Sequence, residues 1–129
     1  MTTAEDDART AQLAESLSRV RSRLDTAVDA AGRRRGDVEL LVVTKFFPAE
    51  DVARLITLGE KGFGESREPE ASRKIDELRA EAGGDLGDVA FDMIGSVQSK
   101  KARSVARWAV PISVTNTCRR VTPRAARRA

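Results

Sequence analysis

Residues 38–44 constrain the fold of this chain more than any other segment. The segment is short, rich in β-branched side chains and almost entirely apolar, and its polar and apolar positions do not alternate. This pattern is typical of a strand that is buried on both faces of a parallel sheet. We therefore expect a parallel sheet whose faces are covered by helices.

Helical patterns precede and follow this strand. A first helix is expected over about residues 6–31, because apolar residues recur there every three or four positions. These residues are Leu13, Leu17, Val20, Leu24, Ala27 and Ala31. Two further helices should begin near Pro48 and Pro69, since proline is tolerated in the first turn of a helix. A fourth helix should cover about residues 98–109.

Strand patterns separate these helices. Residues 62–66 indicate a short strand followed by a turn, and residues 89–95 indicate a third strand. Residues 110–115 are a weaker candidate for a fourth strand, because Pro111 lacks a backbone donor. Strands that alternate with helices imply right-handed crossover connections, so the predicted fold class is α/β with a parallel sheet.

Composition excludes several classes of function. The 129 residues contain no histidine, which removes catalytic triads and zinc sites built on histidine. The single cysteine, Cys118, cannot form an internal disulfide, which favours a reducing compartment. No apolar run approaches the roughly 18–20 residues of a membrane span, and the N-terminus lacks the apolar region of a secretory signal. We therefore expect a cytoplasmic protein with no membrane partner.

Charge divides the chain at residue 109. Residues 110–129 carry five arginines and no acidic residue, although the whole chain has a net charge of only +3. The same segment lacks helical or strand periodicity beyond residue 115, so we expect residues 1–109 to form the domain and residues 110–129 to be a poorly ordered basic tail. Such a tail can mark a nucleic-acid or acidic partner, but the absence of aromatic residues that stack on bases disfavours nucleic acid.

Lys45 is the sharpest candidate for chemistry. It directly follows the first predicted strand, and the functional groups of α/β barrels gather where strands end. Partial desolvation at a strand end favours the neutral, nucleophilic amine that Schiff-base formation with an aldehyde cofactor requires. The alternative interpretation is a solvated lysine whose aliphatic stem lies along the strand end.

Glycines and carboxylates near the second strand have two interpretations each. Gly62 and Gly64 can present backbone donors to an anion, or they can relieve a tight turn. The carboxylates of Glu65, Glu68 and Glu70 suit acid–base chemistry, or they stabilise a helix N-terminus through its dipole.

Polar residues after the third strand are similarly ambiguous. They are expected either to bind a ligand or to cap a helix, and they are Ser96, Gln98 and Ser99. The cations that follow are expected either to bind an anion or to form a solvated helix face, and they are Lys100, Lys101 and Arg103.

Three motifs resemble those of a known family. Residues 41–48 (LVVTKFFP) resemble the segment AVSKTKP of the YggS/PROSC family of pyridoxal phosphate homeostasis proteins, which are related to the N-terminal barrel of alanine racemase. Residues 63–66 (FGES) resemble the family's FGEN, and residues 93–101 (MIGSVQSKK) resemble its HFIGxLQxNK. The motifs occur in the same order with similar spacing, and the resemblance covers about residues 8–109.

The resemblance implies both a fold and a cofactor. The fold would be a partial (β/α)8 barrel of the TIM type, with about the first three to four β/α units preceded by an N-terminal helix. Pyridoxal 5′-phosphate would be bound by Lys45 as a Schiff base, with further contacts from Ser66, which replaces the family's asparagine, and from Gly95. No metal is implied. The implied role is a non-catalytic carrier or buffer of the cofactor rather than an enzyme, with pyridoxal-phosphate-dependent enzymes as recipients.

The length of the chain leaves two other functions open. A barrel of this type needs roughly 200–250 residues, so the chain looks truncated, and the late segments that hold the phosphate in the family are missing. One alternative is therefore an inert fragment that cannot hold the cofactor. The other is a protein that binds nucleic acid or an acidic partner through the basic tail.

Overall fold

The computed structural model describes residues 3–113, with side chains described for residues 3–109. Its helices are α1 (Thr3–Ala30), α2 (Ala49–Thr57), α3 (Glu70–Glu81) and α4 (Ala102–Ala106), with 3-10 turns at Arg35–Asp37 and Ser99–Lys101. Its strands are β1 (Val42–Val43), β2 (Gly62–Glu65), β3 (Ala90–Ile94) and β4 (Ala109–Ser113).

The four strands form one parallel sheet in the order β1-β2-β3-β4. Val42 of β1 pairs with Phe63 of β2, and Phe63 is also level with Phe91 of β3. Helices connect successive strands, so each connection is a crossover between parallel neighbours. The prediction of an α/β fold with a parallel sheet is therefore confirmed.

The weaker candidate for a fourth strand is present as β4. It pairs in parallel with β3, and its register shifts between Phe91 and Met93. Pro111 lies within β4, which has a neighbour on one side only among the described strands, so its missing backbone donor is tolerated. The division that the sequence suggests at residue 109 thus coincides with the start of a strand. The expected disorder of the basic tail concerns residues that, from 114 onward, lie outside the described part of the chain.

Strand β1 is shorter and more exposed than its sequence predicts. The apolar run of residues 38–44 predicts a strand buried on both faces, but only Val42 and Val43 are in the strand, and the side chain of Val43 is 47% exposed. The physical reason is position, because β1 pairs with β2 alone in the described sheet. Leu40 and Leu41 line an apolar groove of about 300 Å³ beside α1 instead of packing in a closed core.

The core lies between the sheet and the helices that connect its strands. Phe63 and Phe91 are buried, and their ring centroids are 5.7 Å apart. The other buried apolar residues of this cluster are Ala49, Val52, Leu55, Ala71, Ile75, Leu78, Met93, Val105 and Trp108. Helices α2 and α3 each contribute buried residues to this core, and each begins directly after a proline, Pro48 or Pro69, as the sequence predicts.

Helix α1 packs less deeply than its apolar stripe predicts. The only residue of α1 that is buried is Val28, which lies outside the predicted stripe, and Val20 is 46% exposed. Three residues of the stripe, Leu13, Leu17 and Val20, line the open groove beside β1. Ion pairs attach α1 to the domain instead, between Arg9 and Asp51 at 2.8 Å and between Arg21 and Glu60 at 2.6 Å.

The fourth helix is also shorter than predicted. The sequence predicts a helix over about residues 98–109, whereas a 3-10 turn at Ser99–Lys101 leads into the five-residue helix α4. The helix ends because the chain must place Trp108 in the core and then enter β4 at Ala109. Within residues 3–113, no helix combines the length and the apolar character that crossing a membrane requires.

Candidate functional site

The three residues that the sequence nominates as a site lie at one edge of the sheet. Lys45 follows β1, Ser66 directly follows β2, and Gly95 directly follows β3. Because these strands are parallel neighbours, their carboxyl ends share one edge. Gly95 has a φ of +87°, which a residue with a side chain rarely adopts.

Lys45 is partly buried and has a distinctive neighbour. Its Nζ lies 5.2 Å from the ring centroid of Phe46, whose side chain is 68% exposed. The guanidinium of Arg67, which follows Ser66, lies 5.6 Å from the same ring. Among the described residues, no carboxylate forms an ion pair with Lys45. The site therefore holds an amine and a guanidinium on one exposed aromatic ring.

A buried ion pair lies beneath the strand end that carries Lys45. The ammonium of Lys74 donates to both carboxylate oxygens of Glu65, at 3.0 and 2.9 Å, and to the backbone oxygen of Thr44, at 2.7 Å. The hydroxyl of Thr44 donates to the Glu65 carboxylate at 2.5 Å. Glu65 and Thr44 are almost fully buried, and Lys74 is 9% exposed. The three donor positions of the Lys74 ammonium are thus occupied.

The remaining lysines differ from Lys45 in their surroundings. Lys61 forms an exposed ion pair with Asp88 at 2.7 Å, and Lys101 donates to the backbone oxygen of Glu68 at 2.9 Å. Lys100 is exposed. Lys45 and Lys101 are both partly buried at the carboxyl edge, but the Lys101 amine is held by the Glu68 backbone oxygen, whereas no described oxygen holds the amine of Lys45.

A polar cavity of about 400 Å³ opens at the carboxyl ends of β2 and β3. Its polar lining includes Ser66, Arg67, Ser96, Gln98 and Lys101. Neither Lys45 nor Gly95 lines it. The structure therefore brings Ser66 together with the polar residues that follow β3, and it places Lys45 at the same edge but outside this cavity.

The carboxylates of the acidic cluster have unlike environments. Glu68 is buried and accepts hydrogen bonds from the backbone and hydroxyl of Ser72, from the hydroxyl of Ser104 and from the indole of Trp108. Glu65 holds Lys74, whereas Glu70 is exposed in the first turn of α3. Glu65 and Glu68 thus connect buried elements. Only Glu70 fits the interpretation of a carboxylate that stabilises the N-terminus of a helix through its dipole.

The protonation of Glu68 follows from these contacts. Burial raises the pKa of its carboxyl, but the hydrogen bonds from Ser104, Ser72 and Trp108 favour the charged form and outweigh burial. The pKa therefore lies below its ordinary value. The pKa of Asp51 also lies below its usual value. Its hydrogen bonds from Arg9 and then from Arg54, together with their positive charges, outweigh the effect of burial.

The free energy of unfolding should decrease in acid as Glu68 becomes protonated. The unfolded chain keeps an ordinary carboxyl pKa, so the contribution of Glu68 is complete above that value and disappears as the pH falls through the lower folded-state value. Glu68→Gln should make the decrease between about pH 5 and pH 3 shallower. Urea unfolding followed by circular dichroism measures this, with Asp51 providing a residual decrease in both proteins. An acid decrease of unchanged steepness in Glu68→Gln would contradict this assignment.

The glycines of β2 do not form the turn that a phosphate-binding interpretation requires. Gly62 and Gly64 both lie inside the buried strand, and neither has a positive φ. A Cβ atom at Gly64 would meet side-chain atoms of Ile94 at 3.4 Å and of Leu41 at 3.5 Å. These are ordinary van der Waals distances, so the space at Gly64 does not by itself require glycine. Because both glycines lie in a strand, the anion-binding turn and the tight turn expected from the sequence are both wrong.

Comparison with known proteins identifies relatives of the described domain. No protein-family model matches the chain. A protein from Mycobacterium tuberculosis is 48% identical over 118 residues, which are 88% of this chain and 46% of the relative. Relatives from Corynebacterium glutamicum and Escherichia coli are 43% and 33% identical over 72% and 73% of this chain, and over 38% and 39% of their own length. All three are named pyridoxal phosphate homeostasis protein.

The chain belongs to the pyridoxal phosphate homeostasis protein family. The resemblance carried by the three motifs is thereby confirmed. The fold agrees as well, because the crystal structure of an unknown protein from Bifidobacterium adolescentis is similar, with a TM-score of 0.71 and 31% identity over 80% of this chain and 44% of that one. The chain spans less than half the length of the curated relatives it matches.

Sequence reasoning missed two features of this family member's carboxyl edge. Lys74 lies on α3, eight residues beyond the FGES motif, so none of the three motifs covers it. Arg67 follows the FGES motif, and only the fold reveals that it reaches the ring of Phe46 beside Lys45. A lysine at an otherwise apolar helical spacing, Ala71, Lys74, Ile75 and Leu78, was the one available signal for the first feature.

Proposed function

We propose that this chain binds pyridoxal 5′-phosphate through a Schiff base at Lys45 and serves as a non-catalytic carrier or buffer of the cofactor. The observation that carries the proposal is the partly buried Lys45 amine, which lies at the carboxyl edge of a parallel sheet and has no described carboxylate partner. The names of the relatives support the choice of cofactor.

The residues around Lys45 fit the aldehyde and the phosphate of this cofactor. The aldehyde of pyridoxal phosphate condenses with a neutral primary amine and releases water. Lys45 supplies the amine, and no ion pair with a described carboxylate has to be broken to free it. Arg67, on the same aromatic ring, supplies a guanidinium suited to an anionic group. Ser66 supplies a hydroxyl at the neighbouring strand end.

The other lysines are poorer candidates for the covalent bond. Lys74 is buried and its ammonium donates to three oxygens, so its reaction would leave the Glu65 carboxylate buried without its cation. Lys61 forms an ion pair with Asp88, and the amine of Lys101 donates a hydrogen bond to the backbone oxygen of Glu68. Lys100 is free to react with an aldehyde only as an ordinary surface amine.

We infer a (β/α)8-type barrel for the whole protein. Four parallel strands in sequential order, connected by helices and with the candidate residues at their carboxyl ends, support this architecture. The proposed recipients are enzymes that depend on pyridoxal phosphate, in the cytoplasm that the sequence leads us to expect. No described residue favours the nucleic-acid alternative, which depends on a basic tail that lies almost wholly outside the described residues.

A titration with pyridoxal phosphate tests this function. The visible absorbance of a Schiff base should appear and saturate near one cofactor per chain. Pyridoxine phosphate, which has an alcohol in place of the aldehyde, is the matched control ligand and should give no such absorbance. Absorbance that rises without saturation, as for random reaction of surface lysines, would count against the proposal.

A further inference from the structure

Thr44 is the residue that attaches Lys45 to the sheet, and each of its polar atoms is bonded. Its backbone N–H donates to the oxygen of Gly64 at 3.0 Å, and its oxygen accepts from the N–H of Phe47 at 3.0 Å. The same oxygen accepts from the Lys74 ammonium, and its hydroxyl donates to Glu65. The oxygen of Thr44 belongs to the peptide bond that leads into Lys45, so the buried ammonium holds that bond directly.

Little else fixes this part of the backbone. Strand β1 has two residues and one described neighbour, and Val43 beside Thr44 is half-exposed. The residues that follow Thr44 form a turn whose two phenylalanines, Phe46 and Phe47, are exposed. A short edge strand followed by an exposed turn has few buried contacts and opens easily.

We propose that Lys74 and Glu65 are positioning residues, which hold the Thr44 peptide so that the Lys45 amine stays at the carboxyl edge in a reactive geometry. This inference rests on the proposed function of Lys45. The pair acts through a charge-assisted hydrogen bond from a buried cation to a backbone oxygen, and Glu65 is needed to compensate that cation. Neither residue is expected to touch the cofactor.

The test compares variants that remove the hydrogen bonds of Lys74 or Glu65 to Thr44 with a variant that keeps them. Lys74→Met alone leaves the Glu65 carboxylate buried without its cation, which strongly destabilises the folded state. The double variant Glu65→Gln with Lys74→Met removes both charges together, and Thr44→Val removes only the hydroxyl bond. Lys100→Met is the matched control, since it removes an exposed lysine of the same domain.

Two measurements are made on each protein. Hydrogen exchange of the protein without cofactor should be about tenfold faster at the amides of residues 44–47 in the double variant and about fivefold faster in Thr44→Val. Exchange in β2 and β3 should stay unchanged. The rate at which borohydride traps pyridoxal phosphate on Lys45 should fall about tenfold in the double variant. Lys100→Met should match the wild type in both.

The outcomes separate the two proposals. Unchanged exchange at residues 44–47 in both variants, or wild-type trapping at Lys45 in a variant with faster exchange there, would overturn the positioning role. If the double variant exchanges faster throughout the sheet, it is destabilised as a whole, and the positioning role is then judged from Thr44→Val alone. Failure of the wild type to trap the cofactor at Lys45 would instead overturn the proposed function, while the exchange measurement still tests the hold on Thr44.

Discussion

Replacing Lys45 with alanine is expected to reduce covalent incorporation of pyridoxal phosphate to less than about a tenth of the wild-type level. The amine that forms the carbon–nitrogen bond is removed, and the other partly buried lysine at the carboxyl edge, Lys101, donates its amine to the backbone oxygen of Glu68. The fold should be unaffected, because Lys45 makes no ion pair with a described carboxylate and its only described ring contact is with the exposed Phe46. Absorbance titration and unfolding by urea measure the two expectations.

Lys100→Ala is the matched control for this substitution. It removes an equivalent but exposed amine, so incorporation should remain at the wild-type level. Equal losses of incorporation in Lys45→Ala and Lys100→Ala would show that the cofactor reacts with surface lysines in general. Loss of the folded state in Lys45→Ala would contradict the expectation that Lys45 has no structural role.

Phe63→Ala is expected to have the largest effect on stability. The side chain is fully buried in β2, where it packs on Phe91 in a core that also contains residues of α2 and α3. Truncation of a buried phenylalanine costs about 3–5 kcal/mol through lost transfer free energy and the cavity left behind. Single domains are stable by about 5–15 kcal/mol, so the variant should be close to unfolding.

The sole tryptophan reports this effect. Trp108 is buried in the same core, so its fluorescence follows urea unfolding. Phe46→Ala removes an equal side chain that is 68% exposed, and its free energy of unfolding should change by at most about 0.5 kcal/mol. Similar losses in the two variants would mean that β2 is not the centre of the core.

Local patterns were sufficient to predict most of the architecture. Helices α2 and α3 begin directly after Pro48 and Pro69, and both end near glycines with positive φ, Gly59 and Gly83. These signals depend on neighbouring residues alone. The alternation of such helices with apolar strands then predicts the parallel sheet, because few other topologies bury both patterns.

Burial at the edges of the sheet could not be predicted in the same way. The run of residues 38–44 is apolar enough for an interior strand, but whether its faces are covered depends on which strands lie beside it. The same reason applies to Leu13, Leu17 and Val20 of the stripe on α1, which line the open groove next to β1. Periodicity identifies an apolar face and contains no information about the partner that covers it.

The site was predicted in part. Lys45, Ser66 and Gly95 could be assigned to one edge, because each follows a strand and parallel strands end together. The network beneath Lys45 could not, since it joins Thr44 to Lys74 across 30 positions of sequence. The ion pair between Glu65 and Lys74 forms only when α3 packs against β2. In the sequence alone, neither residue can be told from a charged residue on the solvated surface.

Borohydride reduction of the wild-type chain with pyridoxal phosphate, followed by peptide mapping, tests the central claim most directly. Reduction converts the Schiff base to a stable amine, so the position of the cofactor can be read from the modified peptide. At limiting cofactor, the label is expected on Lys45. Label spread evenly over Lys45, Lys61, Lys74, Lys100 and Lys101 would contradict it.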